Sequence, residues 1–333
     1  MTLLHQQESE SPEIDAHAGT SAVATRGRRV GLALLGLLLV AVPYLVPGWL
    51  SFLVVVGIFF LVVLGLDLFL GHTGQVSLGQ TLFMALGGYG GGILSLRLGV
   101  PTVVALVVMA VLSAAVAFLL GRSFLRLRGY YLALATLGLA VITENLATGL
   151  GSLTGGPSGL VGVPNIGFGS FAATTDAANY WVILILCAVG AWFVSGLVRS
   201  RTGRALAAIA SDQPAASMLG VDAARYKTYA FVLAAVFASV AGTLYACYSR
   251  FISPEMVGVL VAFDLVVMLA LGGSRSIVGP LLGVFLLRWL PEAGQHVALY
   301  EPLIAGVVLI VVITYLPDGI WGGIKGVVRR VGR

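Results

Sequence analysis

Apolar runs of bilayer-crossing length recur along almost the whole chain, and no other feature of the sequence limits its fold as severely. A helix needs about 20 apolar residues to cross the hydrocarbon of a membrane. Such runs begin at Val30 and then cover 50–70, 77–96, 101–120, 130–150, 180–198 and 228–248. Three shorter ones, 259–271, 277–290 and 302–316, bring the expected count to ten. The runs 259–271 and 277–290 are short enough to be half-helices or a re-entrant pair. Composition agrees, with 59% of residues hydrophobic and 10% charged. Soluble domains carry about 25% charged residues, and a chain this apolar has too little polar surface to face water. The expected fold is an all-α polytopic membrane protein with about ten transmembrane or partly re-entrant helices and one short cytoplasmic helix.

Positive charge orients the crossings. With the N-terminus inside and the sides alternating, only Arg97, Arg250 and Arg288 of the 19 lysines and arginines fall outside. That asymmetry is the positive-inside bias. It puts both termini and residues 199–227 in the cytoplasm, and it puts residues 151–178, which contain no Lys or Arg, outside. The net charge of +5 therefore reports topology and not nucleic-acid binding. Residues 1–28 read as a disordered polar arm carrying Glu8, Glu10, Glu13 and Asp15. A signal peptide is the competing reading, and no clean small-residue cleavage site follows the first apolar run. Residues 29–322 form the membrane domain, and 323–333 a basic cytoplasmic tail. Cys187 and Cys247 lie inside apolar runs and read as buried structural cysteines, with no disulfide framework or metal spacing.

Four sets of residues stand out within this frame. In the first, Gly74, Gln75, Ser77, Gly79 and Gln80 lead into a run broken by Gly87, Gly88, Gly90, Gly91 and Gly92. Irregular backbone at membrane depth survives only when buried in protein or lining a wet cavity, and glycines let helices approach closely. Tight packing is one reading; a translocation pathway or a subunit interface is the other. The second set is cytoplasmic. Asp212 and Pro214 start a helix, Ala215, Ala216, Met218 and Leu219 continue it, and Gly220 stops it. A short helix with a small-residue face suits docking in a groove on a partner. The third set is the intramembrane acids Asp67, Glu144 and Asp264, which normally face a bundle interior or a polar path. Glu144 is counted with the candidate pathway. The fourth is the outer-loop run Thr154, Gly155, Gly156, Pro157, Gly159, whose glycine turns can expose amides to an anion or form a plain surface loop.

The stretch around Pro214-Ala215-Ala216 and Gly220 resembles the EAA loop of ABC-importer permeases, with Pro214 where that motif has Glu. Longer segments are similar to the branched-chain amino acid permeases, and closer to the LivM type. They are GHTGQVSLGQTLFMALGGY at 71–89, LTGGPSGLVGVP at 153–164, the run 200–246, LGGSRSIVGPLLGVFLLRWLPE at 271–292 and PDGIWG at 317–322. The chain departs at Asp67 and His72, where the family more often has Asn and Tyr. The resemblance implies a non-catalytic permease subunit, half of a heterodimeric pathway in a bacterial or archaeal inner membrane. It implies two ATP-binding subunits, which hold ATP and Mg, a companion permease and an external substrate-binding protein. The chain itself has no GxxxxGK[ST] phosphate loop and no cofactor motif. A secondary transporter coupled to ions through the buried acids is the main rival, and a permease for urea- or amide-like solutes is another. No HExxH helix or GxSxG elbow supports an enzyme.

Overall fold

The computed structural model describes residues 47–127, 129–168, 171–293, 306 and 319–324. The expected crossings from Val30 and at 302–316 and most of both tails lie outside the described residues. Residues 51–333 form one compact unit; of the separate segment 1–50, a 3-10 turn at Pro47–Trp49 and Leu50 are described.

Helix α1, Leu50–Leu66, runs on through a π turn at Asp67–Gly71. Helix α2 has three consecutive parts: Gln80–Ala85, a second π turn at Leu86–Gly90, and Gly91–Leu98. Then come α3, Thr102–Phe124; α4, Tyr130–Gly149; and α5, Asp176–Arg199. Two short helices, α6 at Arg201–Ser211 and α7 at Gln213–Met218, precede α8, Ala223–Ser249. Helices α9, Val259–Gly272, and α10, Val278–Ala293, follow. With its π turn, α1 is long and apolar enough to cross a membrane, and so are α3, α4, α5 and α8.

The glycine run in α2 does not break the helix. Ala85, Leu86, Gly90 and Gly91 all keep right-handed helical angles across the joints of the π turn. The expected interruption is a local widening, and the missing side chains serve a neighbouring helix instead. Left-handed glycines mark true stops: Gly99 (φ +66°) ends α2, as an L side chain rarely does. Thr175 caps the start of α5, its side chain accepting from Ala178 N at 3.2 Å.

Helices α1 and α8 form the centre. Within the chain, 78% and 67% of their apolar windows are buried, against 22%, 28% and 17% for α3, α4 and α5. The outer three helices leave broad apolar faces for lipid or another membrane subunit. Helix α8 packs along α3 and along all three parts of α2.

Contacts sort the connections into two ends. At one, Ser51 Oγ and Tyr248 OH donate to the Asp176 carboxylate, at 3.0 and 3.4 Å. There too Arg97 donates to the Ser152 and Leu153 carbonyls, and strand β1, Leu160–Val161, pairs antiparallel with a strand at Phe251–Ile252. A hairpin of Gly167–Phe168 with Phe171–Ala172 sits in the same loop, and Thr102 Oγ1 accepts from Gly167 N at 2.7 Å. At the other end Asp67 meets Arg275, Lys227 meets Gln213, and Leu78 N donates to Thr136 Oγ1 at 3.0 Å. From α1 to α5, and again from α8 to α10, successive helices change ends.

The short helices α9 and α10 follow this alternation. The amide of Val259 at the start of α9 meets Glu144 of α4, while Arg275, just past its end, meets the end of α1. Phe285 of α10 packs edge-on to Phe52 near the start of α1, with ring centroids 5.6 Å apart. Both helices therefore run from one end of the helix packing toward the other.

Candidate functional site

The segment after α1 is irregular but tightly bonded. Thr73 Oγ1 donates to Phe69 O at 2.6 Å, and Gly74 N to Leu70 O at 3.0 Å, an α-type turn that follows the π turn. Gly74 (φ +69°) then turns the chain out, leaving it and Val76 exposed. Ser77 is buried, and its Oγ accepts from Gly79 N at 3.3 Å, a turn that starts α2. A Cβ on Gly79 would lie 3.3 Å from Thr136 Cβ, so this turn is pressed against α4. Gln80 is buried too, at 1% exposure, and neither of its amide atoms has a hydrogen-bond partner. Gln75 Oε1 is likewise buried without one. A buried amide left unpaired costs about 1–3 kcal/mol, so these two glutamines are the polar groups of the segment with bonding capacity left for water or solute.

Asp67 opens the π turn at the end of α1 and is 1% exposed. Its Oδ1 accepts from Arg275 N at 2.8 Å, and Arg275 Nε donates to Gly71 O at 2.8 Å. A Cβ on Gly71 would fall on the Asp67 carboxylate. The loop between α9 and α10 is thus sewn to α1 by a carboxylate that acts as a backbone acceptor. Gly319, further along the chain, has its Cα face against Gly272 and Gly273 in the same loop.

Gly88 lies inside the chain. A Cβ there would strike Ile252 and come within 3.1 Å of Gly242 O, while Gly87 faces Ser239 and Gly91 faces Thr243. Thr243 Oγ1 donates to Gly87 O at 2.9 Å. These glycines let α2 lie backbone to backbone on α8. Gly88 is closely packed within the chain.

Local signals build the α6–α7 corner. Ser200 caps α6, accepting from Thr202 N at 3.1 Å. Asp212 caps α7 through Ala215 N at 3.1 Å, with Pro214 in its first turn. Gly220 (φ +82°) stops it, and Val221 N returns to Ala216 O at 3.1 Å. Ala216 turns inward onto Ile209 and Ala223. Pro214, Ala215, Met218 and Leu219 turn outward, and Met218 and Leu219 are 91% and 85% exposed. Two leucine-sized apolar side chains so open to water, on a doubly capped helix, make a surface shaped for another protein.

The outer-loop residues satisfy one another. Thr154 Oγ1 donates to Ala147 O at 2.6 Å and accepts from Gly156 N at 3.3 Å. Gly155 N donates to Gly151 O and Gly159 N to Gly156 O, spanning Pro157. The amides of these three glycines are therefore engaged within the loop and not turned to an anion. Gly155 (φ +81°) and Gly159 (φ +71°) hold conformations that L side chains rarely adopt, and Gly159 backs onto Ile252 O. Glu144 bonds outside its own helix: its Oε2 accepts from Val259 N at 3.1 Å and so caps α9. Removing that cap costs about 1 kcal/mol. Glu144→Ala is expected to lower the thermal midpoint of the detergent-solubilised protein, and Glu144→Gln, which keeps a carbonyl acceptor, to leave it in place. Equal midpoints for Glu144→Ala and the parent would show that the cap contributes nothing.

Sequence reasoning missed Lys227. It counts among the cytoplasmic positives, yet it is 2% exposed, and its Nζ donates to Gln213 Oε1 at 2.6 Å. Only its place one turn into an apolar helix hinted at burial.

Comparison with known proteins agrees with this architecture. Residues 48–314 match the family model "Branched-chain amino acid transport system / permease component". The high-affinity branched-chain amino acid transport system permease protein LivM of Salmonella typhimurium is 31% identical over 315 residues, covering 87% of this chain and 74% of that protein. LivM of Escherichia coli K12 is 30% identical over 321 residues, 89% of this chain and 76% of that one. The permease protein LivH of Escherichia coli K12 is 32% identical over 157 residues, 46% of this chain and 49% of LivH. These relatives are transport permeases and not enzymes. No solved structure matches. A multi-pass helical chain whose family match runs from α1 beyond α10 belongs to the permease components of branched-chain amino acid transport systems.

Proposed function

We propose that this chain is the membrane-spanning subunit of an ATP-driven importer for branched-chain or related amino acids, and that α7 is its contact with the ATPase. The chain carries no phosphate-binding loop, so ATP and Mg belong to two partner subunits. Ten crossings, with both termini in the cytoplasm of an inner membrane, put α6 and α7 on the ATPase side. Residues 151–178 then face an external binding protein. The little-buried faces of α3, α4 and α5 suit lipid and a companion permease. Domain limits follow the same frame: a polar arm at 1–28, the membrane domain at 29–322 with its cytoplasmic corner at 199–227, and a tail at 323–333.

The observation that carries the reading is the pair Met218 and Leu219, 91% and 85% exposed on a helix capped at both ends. A solvated loop has no reason to hold them so. The buried acids give the ion-coupled rival little, because Asp67 and Glu144 each spend a carboxylate oxygen on a backbone amide. The test is co-purification. With Met218→Asp and Leu219→Asp combined, recovery of the ATPase subunits with this chain is expected to fall about tenfold or more, the loss of a central apolar anchor. Undiminished recovery would remove the docking assignment.

A further inference from the structure

Helix α7 is exposed, but its first residue is tied to α8, one of the two central helices. Gln213 opens α7, and its side-chain carbonyl accepts from Lys227 Nζ at 2.6 Å. Lys227 is the fifth residue of α8 and is 2% exposed. A lysine buried to that degree holds its hydrogen-bond acceptors in place, because losing one leaves an ammonium donor unsatisfied in a poor solvent for charge. The apolar contacts beneath it, Ile209, Ala216 and Ala223 with Val221 and Tyr226, stop α7 from tilting on its own.

One turn further along α8, on the same face, stands Phe231. Its ring lies 5.3 Å from that of Phe69 in the π turn of α1 and 5.5 Å, edge-on, from that of Phe83 in α2. Phe69 O in turn accepts the Thr73 hydroxyl, where the irregular segment 72–79 begins. The other end of that segment is the start of α2, which carries Gln80. Side-chain contacts, joined along the backbones of α8, α1 and α2, thus link α7 to both ends of the 72–79 segment.

We infer that Lys227 is a positioning residue, a strut through Gln213 that carries displacement of α7 into α8 and on to the 72–79 segment. The part of this that concerns transport rests on the docking role proposed for α7. The mechanical part does not, and coupling of this kind needs a direct measurement.

The first arm uses the full chain alone in detergent. Gln213→Ala removes this one acceptor of Lys227 at a half-buried site and leaves the core intact. Amide hydrogen exchange is expected to quicken about fivefold or more both in 212–219 and, at a distance, in 72–79. Faster exchange confined to 212–219 would overturn the strut. The second arm uses the complex reconstituted in proteoliposomes with its ATPases, companion permease and binding protein, and leucine as the solute. Lys227→Met is expected to keep ATPase recovery and hydrolysis while leucine moved per ATP falls about five- to tenfold; Gln213→Ala is expected to lower that ratio as much, and the double variant no further. An unchanged ratio, or two losses that multiply, would overturn it. Loss of thermal stability alone, with the ratio preserved, would make Lys227 a packing residue and also count against the proposal. Failure of the docking role shows elsewhere, in ATPase recovery with the Met218 and Leu219 variants.

Discussion

Asp67→Ala is expected to lower the thermal midpoint of the solubilised protein by about 5 °C or more and to abolish uptake, while Asp67→Asn leaves both near the parent values. The carboxylate holds the loop between α9 and α10 through one short bond to Arg275 N, 2.8 Å, at a site 1% exposed. Arg275 sits at φ +59°, in the left-handed region, where a side chain costs about 1–2 kcal/mol. That conformation persists because both its amide and its guanidinium are bonded to the end of α1. Alanine at 67 leaves the amide donor unsatisfied, at about 1–3 kcal/mol, and releases the strained turn. Asparagine keeps a carbonyl oxygen at the same reach, so what matters is an acceptor and not a charge. Arg275→Gly separates the two parts: glycine takes φ +59° freely and keeps its amide bond to Asp67, but loses the bond to Gly71 O. Its effect should be smaller than that of Asp67→Ala. A midpoint for Asp67→Ala equal to the parent would dismiss the latch.

What the sequence made legible was local. Crossings expected at 101–120, 130–150 and 180–198 are helices at Thr102–Phe124, Tyr130–Gly149 and Asp176–Arg199, because twenty apolar residues have one low-energy form in lipid. The α7 boundaries were readable for the same reason, since Asp212 and Gly220 act on their own neighbours. Everything that depends on a distant partner was hidden. Asp67 and Arg275 are 208 residues apart in sequence, and no period or cap signal joins them. Leu160 meets Ile252 across a two-residue ladder too short to announce itself. The contacts of α9 and α10 with Glu144, Asp67 and Phe52 were equally invisible in their short apolar runs. The glycine run of α2 misled in an instructive way. Glycine lowers helix propensity in isolation, but in α2 the missing side chains are compensated by α8, so the helix continues.

That compensation makes the α2–α8 seam the place where one methyl group does the most damage. A Cβ on Gly87 would fall on the Ser239 carbonyl, and one on Gly242 on the Met84 carbonyl, so each helix presses its glycine against the other's backbone. Backbone cannot rotate away as a side chain can; the helices themselves must part. Parting them would stretch the 2.9 Å bond from Thr243 to Gly87 O and open the neighbouring contacts of Gly88. Overpacking of this kind costs about 1–3 kcal/mol, and more where nothing yields. Alanine also gains about 1 kcal/mol of helix propensity over glycine, so the sign is a real test. The expected order of damage is Gly87→Ala and Gly242→Ala worst, with poor yield and a lowered midpoint. Gly91→Ala comes next, because the Thr243 methyl, 2.8 Å from its new Cβ, can turn aside. Gly138→Ala, with nothing within 4 Å, shows only the propensity gain. Size-exclusion profiles and thermal midpoints of the four single variants measure this ranking. If Gly87→Ala and Gly138→Ala behaved alike, the two helices would not be held at backbone contact, and the route from α8 to the 72–79 segment would lose its rigid wall.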